Sequence, residues 1–317
     1  MELRSYKRGD EIQIVKLFEK VFGRPMALDF WKWRFENNPA GKYLIKLMWD
    51  GDKLVGHYAV SPAKMTIKGK EFLSTLSMTT MTDPEYGGKG IFGNLANSLN
   101  KELEMELGVK AIWGFPNNNS HYSFIKNLDW KNLGLISHIS VQLTKIKPQL
   151  SDKIKQFEVF TLEHEEIMAK ITSNFSVYVK RDIEYLTWRY NEKPNTKYYK
   201  FEYIENEIKS FIIVKKYPSD NDNQIDNLYI TELGINFSNL SLLPIFISHL
   251  LAFFKQSGAT LNTWLSIFDE RYIYLEKIGF YPTGKPTYIG VRANNEEQKT
   301  LTDFRNWYYS YGDSDVY

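Results

Sequence analysis

The stretch Asp83–Leu95, DPEYGGKGIFGNL, gathers four glycines and one lysine into a short run. It follows Glu71–Thr82, EFLSTLSMTTMT, which is rich in β-formers and predicts a strand. Asp83-Pro84 ends that strand, because proline has no N–H and restrains the residue before it. From Ile91 onward, Ile91, Leu95, Leu99, Leu103 and Leu107 recur every fourth residue, a helical stripe, and Gly108 supplies a stop. The glycines therefore lie between a strand and a helix N-terminus. Gly87, Gly88 and Gly90 permit positive φ and let a ligand approach the main chain. The first N–H groups of the helix and its positive dipole end attract phosphate, and Lys89 adds a cation.

Working outward, the chain resembles itself. Trp33-Arg34-Phe35 is followed by Pro39, and Trp188-Arg189-Tyr190 by Pro194. Strand-like runs follow in both places, separated by Asp50-Gly51-Asp52 in one and Glu205-Asn206-Glu207 in the other, which predicts two hairpins. Further on, YSFIKNLDW (Tyr122–Trp130) aligns with YIYLEKIGF (Tyr272–Phe280). Two copies of one fold explain this order. The division is expected at Lys147–Asp152, giving domains 1–147 and 152–317, each with helices covering a mixed α/β (α+β) sheet. The second copy has Asn236–Ser241 where the first has its glycine loop, without glycine or lysine. A phosphate cradle is therefore expected in the first copy only.

Composition narrows the class. The 317 residues carry 40 basic and 38 acidic side chains, so no nucleic-acid surface is indicated. The absence of Cys excludes thiolate chemistry, disulfides and cysteine zinc sites, and the five His show no metal-ligand spacing. No segment reads as a signal peptide or a membrane span, so a cytoplasmic protein with no membrane partner is expected.

The order of strand, P-E-Y-x-G-K-G-[apolar], helix, Gly, strand, Asn, helix resembles the GNAT acetyltransferases, in their tandem two-domain form. The resemblance implies acetyl-CoA as co-substrate and a small-molecule amine, such as an amino sugar, as acceptor. The family loop reads R/Q-x-x-G-x-G/A and holds pyrophosphate on main-chain N–H groups. Gly90 matches its central glycine, Gly87 stands at the Arg/Gln place, and Phe92, followed by Gly93, stands at a small-residue place. Gly87, Gly88, Lys89, Gly90, Ile91, Phe92 and Gly93 are thus the expected phosphate site. Thr80, Met81 and Thr82 are expected on one side of the pantetheine gap, with Ile112–Phe115 on the other. Asn118 matches a family asparagine that binds cofactor, or else caps a helix. Phe124 takes an apolar place of the pattern N-x-x-A-x-x-[LF]-Y-x-x-x-G-F.

In that pattern Ile125 occupies the position of the usual Tyr acid, so Tyr122 or His121 is the expected substitute. His57, on a strand beside the cofactor strand, is a candidate base. In one branch of the tandem GNAT enzymes the chain's terminal carboxylate is the base, which makes Tyr317 a second candidate. Structural use is expected for Arg34 and Arg189, since their motif recurs where no cofactor is expected. Two alternatives stand beside acetyl transfer: a non-catalytic acyl-CoA-binding or regulatory protein, and a FemX-like aminoacyl transferase.

Overall fold

The computed structural model describes residues 1–118, 120–142, 146–217, 227–255, 260–284 and 287–314. In chain order the elements are β1 (Glu2–Ser5), α1 (Glu11–Phe22), α2 (Leu28–Phe35), β2 (Ile45–Asp50), β3 (Lys53–Ile67), β4 (Lys70–Thr82), α3 (Ile91–Met105), β5 (Ala111–Gly114), α4 (His121–Asn127), β6 (Lys131–Ile136) and β7 (His138–Gln142). Then follow β8 (Ile154–Gln156), α5 (Leu162–Thr172), β9 (Val177–Val179), α6 (Ile183–Tyr190), β10 (Tyr198–Glu205), β11 (Glu207–Tyr217), β12 (Asn227–Gly234) and α7 (Leu242–Phe254). The chain closes with β13 (Thr260–Trp264), α8 (Arg271–Ile278), β14 (Tyr281–Pro282), β15 (Thr287–Arg292) and α9 (Gln298–Leu301).

Two compact units form. The first is Met1–Gly134, Glu192–Asn195 and Tyr288–Phe304; the second is Leu135–Asn191, Thr196–Thr287 and Arg305–Tyr317. The division expected at Lys147–Asp152 lies inside the second unit. The reason is hydrogen bonding: β15, late in the chain, pairs antiparallel with β5, whereas β7, early in the chain, pairs antiparallel with β13. The strand orders are β1-β2-β3-β4-β5-β15-β6 and β8-β10-β11-β12-β13-β7-β14. Each sheet therefore has antiparallel strands, one parallel pair (β4/β5 or β12/β13), and then a strand from the other copy.

In the first unit the sheet is covered on both faces. On one face, Ile14, Leu17, Phe18, Trp31 and Phe35 of α1 and α2 pack against Leu47, Leu54, Ala59, Met78 and Met81. On the other, the stripe Ile91, Leu95, Leu99 and Leu103 meets Val55, Tyr58 and Val60. Leu107 lies beyond α3 and is exposed. Fully burying one such leucine stabilises by about 2 kcal/mol. Helix α3 packs so closely on β3 that a Cβ added to Gly56 would stand 2.4 Å from Ile91 Cγ2 and 3.0 Å from Leu95 Cδ1.

The second unit's core gathers around α7, of which Pro244 and Ile245 are exposed. The described end of the chain is docked within this unit: Tyr308–Ser314 are buried. Arg189 donates from Nε to the Gly312 carbonyl (2.7 Å) and from Nη2 to that of Ser314 (3.2 Å). The second Trp-Arg element thus pins main-chain carbonyls. In the first, the buried Arg34 guanidinium lies 4.5 Å from the Trp33 ring centre.

A Cβ on Gly312 would fall 2.2 Å from the Tyr190 hydroxyl and 3.1 Å from Glu232 Oε2. Gly312→Ala is therefore expected to destabilise by about 1–3 kcal/mol, as overpacking does. A lower urea midpoint at unchanged slope would show it; an unchanged midpoint would show that the tail is not seated against Tyr190.

Candidate active site

The site begins with a β-bulge. Across β3 and β4, His57 faces Met81 while Ala59 faces Met78, so β4 carries one extra residue there. Thr79 takes the strain with φ of 51°. The extra residue shifts the side-chain alternation, and Met78 and Met81 both face the α1/α2 cluster. The Thr79 carbonyl accepts a 2.7 Å hydrogen bond from His57, whose Nδ1 must therefore carry the proton.

The bulge stands where β4 and β5 part. Their parallel ladder runs Ser74↔Ala111, Thr75↔Ile112 and Leu76↔Trp113 and ends there. Gly114 still lies close, its Cβ direction 3.1 Å from the Ser77 carbonyl. Of the expected edge Ile112–Phe115, Ile112 and Trp113 are in the ladder, because three pairs form before the bulge turns β4 away. Thr80 and Thr82, both half-buried, and the main chain of Met81 lie beyond the last pair, as do Gly114 and Phe115.

Just past the parted strands comes the loop. Pro84–Tyr86 form a single 3-10 turn, capped by Asp83 accepting from the Glu85 N–H. Gly88 (φ 74°) and Gly90 (φ 71°) adopt left-handed conformations, and Gly90 caps α3 without a side-chain bond. The N–H groups of Gly90, Ile91, Phe92 and Gly93 have no partner within the helix. Gly87 to Gly90 are exposed. Lys89 Nζ lies 4.3 Å from the Tyr86 ring centre and makes no ion pair among the described residues. Phe92 packs into the wall with Phe124 (5.3 Å between ring centres) and Tyr58 (6.0 Å).

The loop's entry is clamped by charge. The Asp83 carboxylate, 1% exposed, accepts from Lys20 (2.9 Å) and pairs with Lys53 (3.2 Å). Glu85, itself exposed, pairs with the same two lysines at 3.0 and 2.7 Å. Burial pulls the Asp83 carboxyl up, but Lys20, the Glu85 N–H and Lys53 outweigh it and hold it below its usual range. Tyr86 donates to Asp50 at 2.7 Å.

The candidate proton-transfer residues are dispersed. His57 is fully buried, and burial pulls its pKa down to about 4 against the Thr79 carbonyl, which acts in the opposite direction. It is neutral at pH 7, and its Nε2 has no partner among the described residues. Tyr122 points outward, 64% exposed, with Lys126 Nζ 5.2 Å from its ring centre. His121 is stacked on Tyr288 (3.9 Å, 15°), and its Nε2 is 3.2 Å from Asn132 Oδ1. Tyr288 is two residues before Gly290, the partner of Gly114, which places His121 beside the open end of β5. Ile125 packs against the core. Asn117, rather than Asn118, accepts from the Ser120 N–H, and Asn118 is exposed. Tyr317 lies outside the described residues. Among the described residues no cluster of three His, Asp or Glu could hold a metal, and no helix is long and apolar enough to cross a membrane.

Sequence reasoning missed the Thr79 bulge and the clamp of Lys20 and Lys53. A positive φ at threonine has no local signature, and Lys20 lies 63 residues from Asp83.

A depressed carboxylate stabilises the fold above its unfolded pKa and ceases to do so as pH falls through its folded one. Asp83→Asn is therefore expected to cost about 1–3 kcal/mol at pH 7. The difference from wild type should be complete above about pH 4 and shrink below it. Urea unfolding of both proteins across this range checks it; a difference constant down to about pH 2 contradicts the clamp.

Residues 2–132 match the sequence model of a family described as the acetyltransferase (GNAT) domain. No curated protein matches the chain. Among solved structures, a GCN5-related N-acetyltransferase from Anabaena variabilis is similar with a TM-score of 0.72 at 13% identity, over 93% of this chain and 73% of that one. A probable N-acyltransferase from Enterococcus faecalis, a conserved protein of unknown function, gives 0.69 at 12% identity, over 92% and 72%. Saccharomyces cerevisiae N-myristoyltransferase with bound myristoyl-CoA gives 0.65 at 10% identity, over 92% and 83%. At such identities these likenesses speak for the fold, and they span both units. With its glycine loop, bulged β4 and parted β5, the segment from residue 2 to residue 132 is an acyltransferase domain of the GNAT family.

Proposed function

We propose that the first unit binds acetyl-CoA or a longer acyl-CoA and transfers the acyl group to the amine of a small polar acceptor, an amino sugar being one candidate. The observation that carries this reading is the coincidence of two features: the β4/β5 ladder ends at Leu76↔Trp113, and a glycine-capped helix opens just beyond β4. The pyrophosphate would lie on the N–H groups of Gly90, Ile91, Phe92 and Gly93 with Lys89 beside it, Gly87 and Gly88 leaving room. The pantetheine arm would run along Thr80, Met81 and Thr82, with Phe92 and Phe124 as a wall. Asn118 would face the same end. The amine attacks the thioester carbonyl and the C–N bond forms; the nitrogen gives up a proton, the C–S bond breaks, and the thiolate takes a proton. An N–H facing the gap would meet the oxyanion.

His121 suits the acid role better than Tyr122, because it lies beside the open end of β5. His57 suits a positioning role: buried and neutral, it fixes the bulge through Thr79. A second reading, CoA binding without turnover, is favoured by one observation, the packing of Ile125 at the place of the usual acid.

Calorimetry with CoA, acetyl-CoA and myristoyl-CoA, alongside thiol release over an amine panel, separates these readings. Saturable CoA binding is expected, weakened at least about tenfold in Gly56→Ala, because the new Cβ lifts the first turn of α3 from β3. His121→Ala is expected to lower kcat by about 10²-fold or more while leaving CoA affinity unchanged. Absence of binding heat would overturn both readings; binding without thiol release would leave the second.

A further inference from the structure

A cleft of about 580 Å³ opens within the second unit, on residues that none of the steps above employ. Its volume falls in the range of small-molecule sites. Asn236, Phe237 and Ser238 form one side, at the position the glycine loop holds in the first unit. Lys170, in the last turn of α5, and Arg305 bring two cations to the lining, against one carboxylate, Glu270. Phe175, Phe237 and Phe268 bring rings. Phe268 is 48% exposed and its neighbour Ile267 is 58% exposed, an apolar rim on an otherwise polar opening.

The floor is preformed. Phe237 lies over the guanidinium of Arg271, 5.6 Å from ring centre to Cζ. Arg271 is fully buried, clamped to Asp269 at 2.6 Å and to the Leu233 carbonyl at 2.7 Å. Asn174 donates its amide N–H groups to the carbonyls of Lys170 and Ile171, which leaves its side-chain oxygen as an acceptor on the lining.

We propose that this cleft binds an aryl phosphate: a planar aromatic small molecule carrying a phosphate and a hydroxyl or amino group. The ring lies against Phe237 and Phe268, two cations match the dianion, and Glu270 with the Asn174 oxygen accepts from the donor group. A pantetheine arm does not fit this unit, because Tyr308 and Ser310 bond to Glu232 on β12 while Tyr311 packs on Trp264 of β13, so the tail occupies the region where those strands part. The proposal stands apart from the acyl-CoA reading of the first unit.

The test is calorimetry of the full chain with phenyl phosphate, inorganic phosphate and phenol as separate probes. Saturable binding of phenyl phosphate is expected, at least about tenfold tighter than either part-probe. Lys170→Glu and Arg305→Glu, both at exposed positions, are each expected to weaken it about tenfold or more while leaving CoA binding unchanged. Ser238→Trp is expected to abolish it by filling the cleft. Inorganic phosphate binding as tightly as phenyl phosphate, wild-type affinity in both charge variants, or no saturation would each overturn the proposal.

Discussion

Main-chain hydrogen bonding between β4 and β5 stops after three residue pairs, and the first unit is organised around that interruption. A sheet covered on both faces rarely leaves strand edges unpaired, because a buried N–H or C=O without a partner costs about 1–3 kcal/mol. The interruption is not slack in the fold. It follows from the inserted residue at the Thr79 bulge, held by the His57 imidazole from the face opposite α3. The strands remain near contact at Gly114 and Ser77, one residue past the last pair. The covering helix α3 begins just past the end of β4, so its free N–H groups and the parted strand edges share one region.

The second unit repeats the interruption and resolves it differently. Its parallel ladder also has three pairs, Leu228↔Leu261 to Ile230↔Thr263, and its bulge falls at Thr231. Glu232, paired with Ile213, holds the register place that Met81 holds opposite His57. A buried carboxylate is costly unless paired and hydrogen-bonded. Glu232 accepts from Tyr308 (2.7 Å), Tyr190 (3.1 Å) and Ser310 (3.2 Å), and Arg181 lies 3.4 Å away. Arg181 also binds Asp313 at 2.6 Å; burial raises that carboxyl, although Arg181 opposes the shift. The chain's closing segment thus supplies the polar partners that the parted strands and the buried carboxylate require. One copy of the fold keeps its gap, and the other fills it from its own sequence.

Much of this was legible in the residues, and the failures share a cause. The two hairpins, the strand up to Thr82, the helix from Ile91 and the glycine loop are encoded by neighbours in sequence, through turn chemistry and periodicity. Arg189 could be assigned a structural role because its motif recurs without a phosphate loop. The exchange of β7 and β15 could not be read, because either strand satisfies the same alternation in either sheet and only register distinguishes them. His57 read as a polar residue near the cofactor strand; its full burial depends on Phe35 and β4, which no local pattern specifies. Tyr122 and His121 are adjacent in sequence, yet helix geometry turns one to solvent and stacks the other on Tyr288, far along the chain. The network of Arg181, Glu232 and Asp313 joins three segments and left no spacing to detect.

Charge around the loop shows how so small a net charge is compatible with the proposed anion site. The chain is formally +2, and of three lysines near the loop two are consumed. Lys20 and Lys53 face Asp83 and Glu85, so these four groups cancel and their field fades within roughly a Debye length of 10 Å. Their work is mechanical: they fix the turn at Pro84–Tyr86 that sets where Gly87 begins. Lys89 is left over the Tyr86 ring, without a carboxylate partner among the described residues, beside N–H groups that the helix cannot satisfy. Lys89 and the first turn of α3 thus form the positive end of the loop, where the proposed diphosphate would lie on the main chain. A larger basic surface would attract polyanions indiscriminately, whereas neutralised neighbours favour attraction at the turn proposed to hold the ligand.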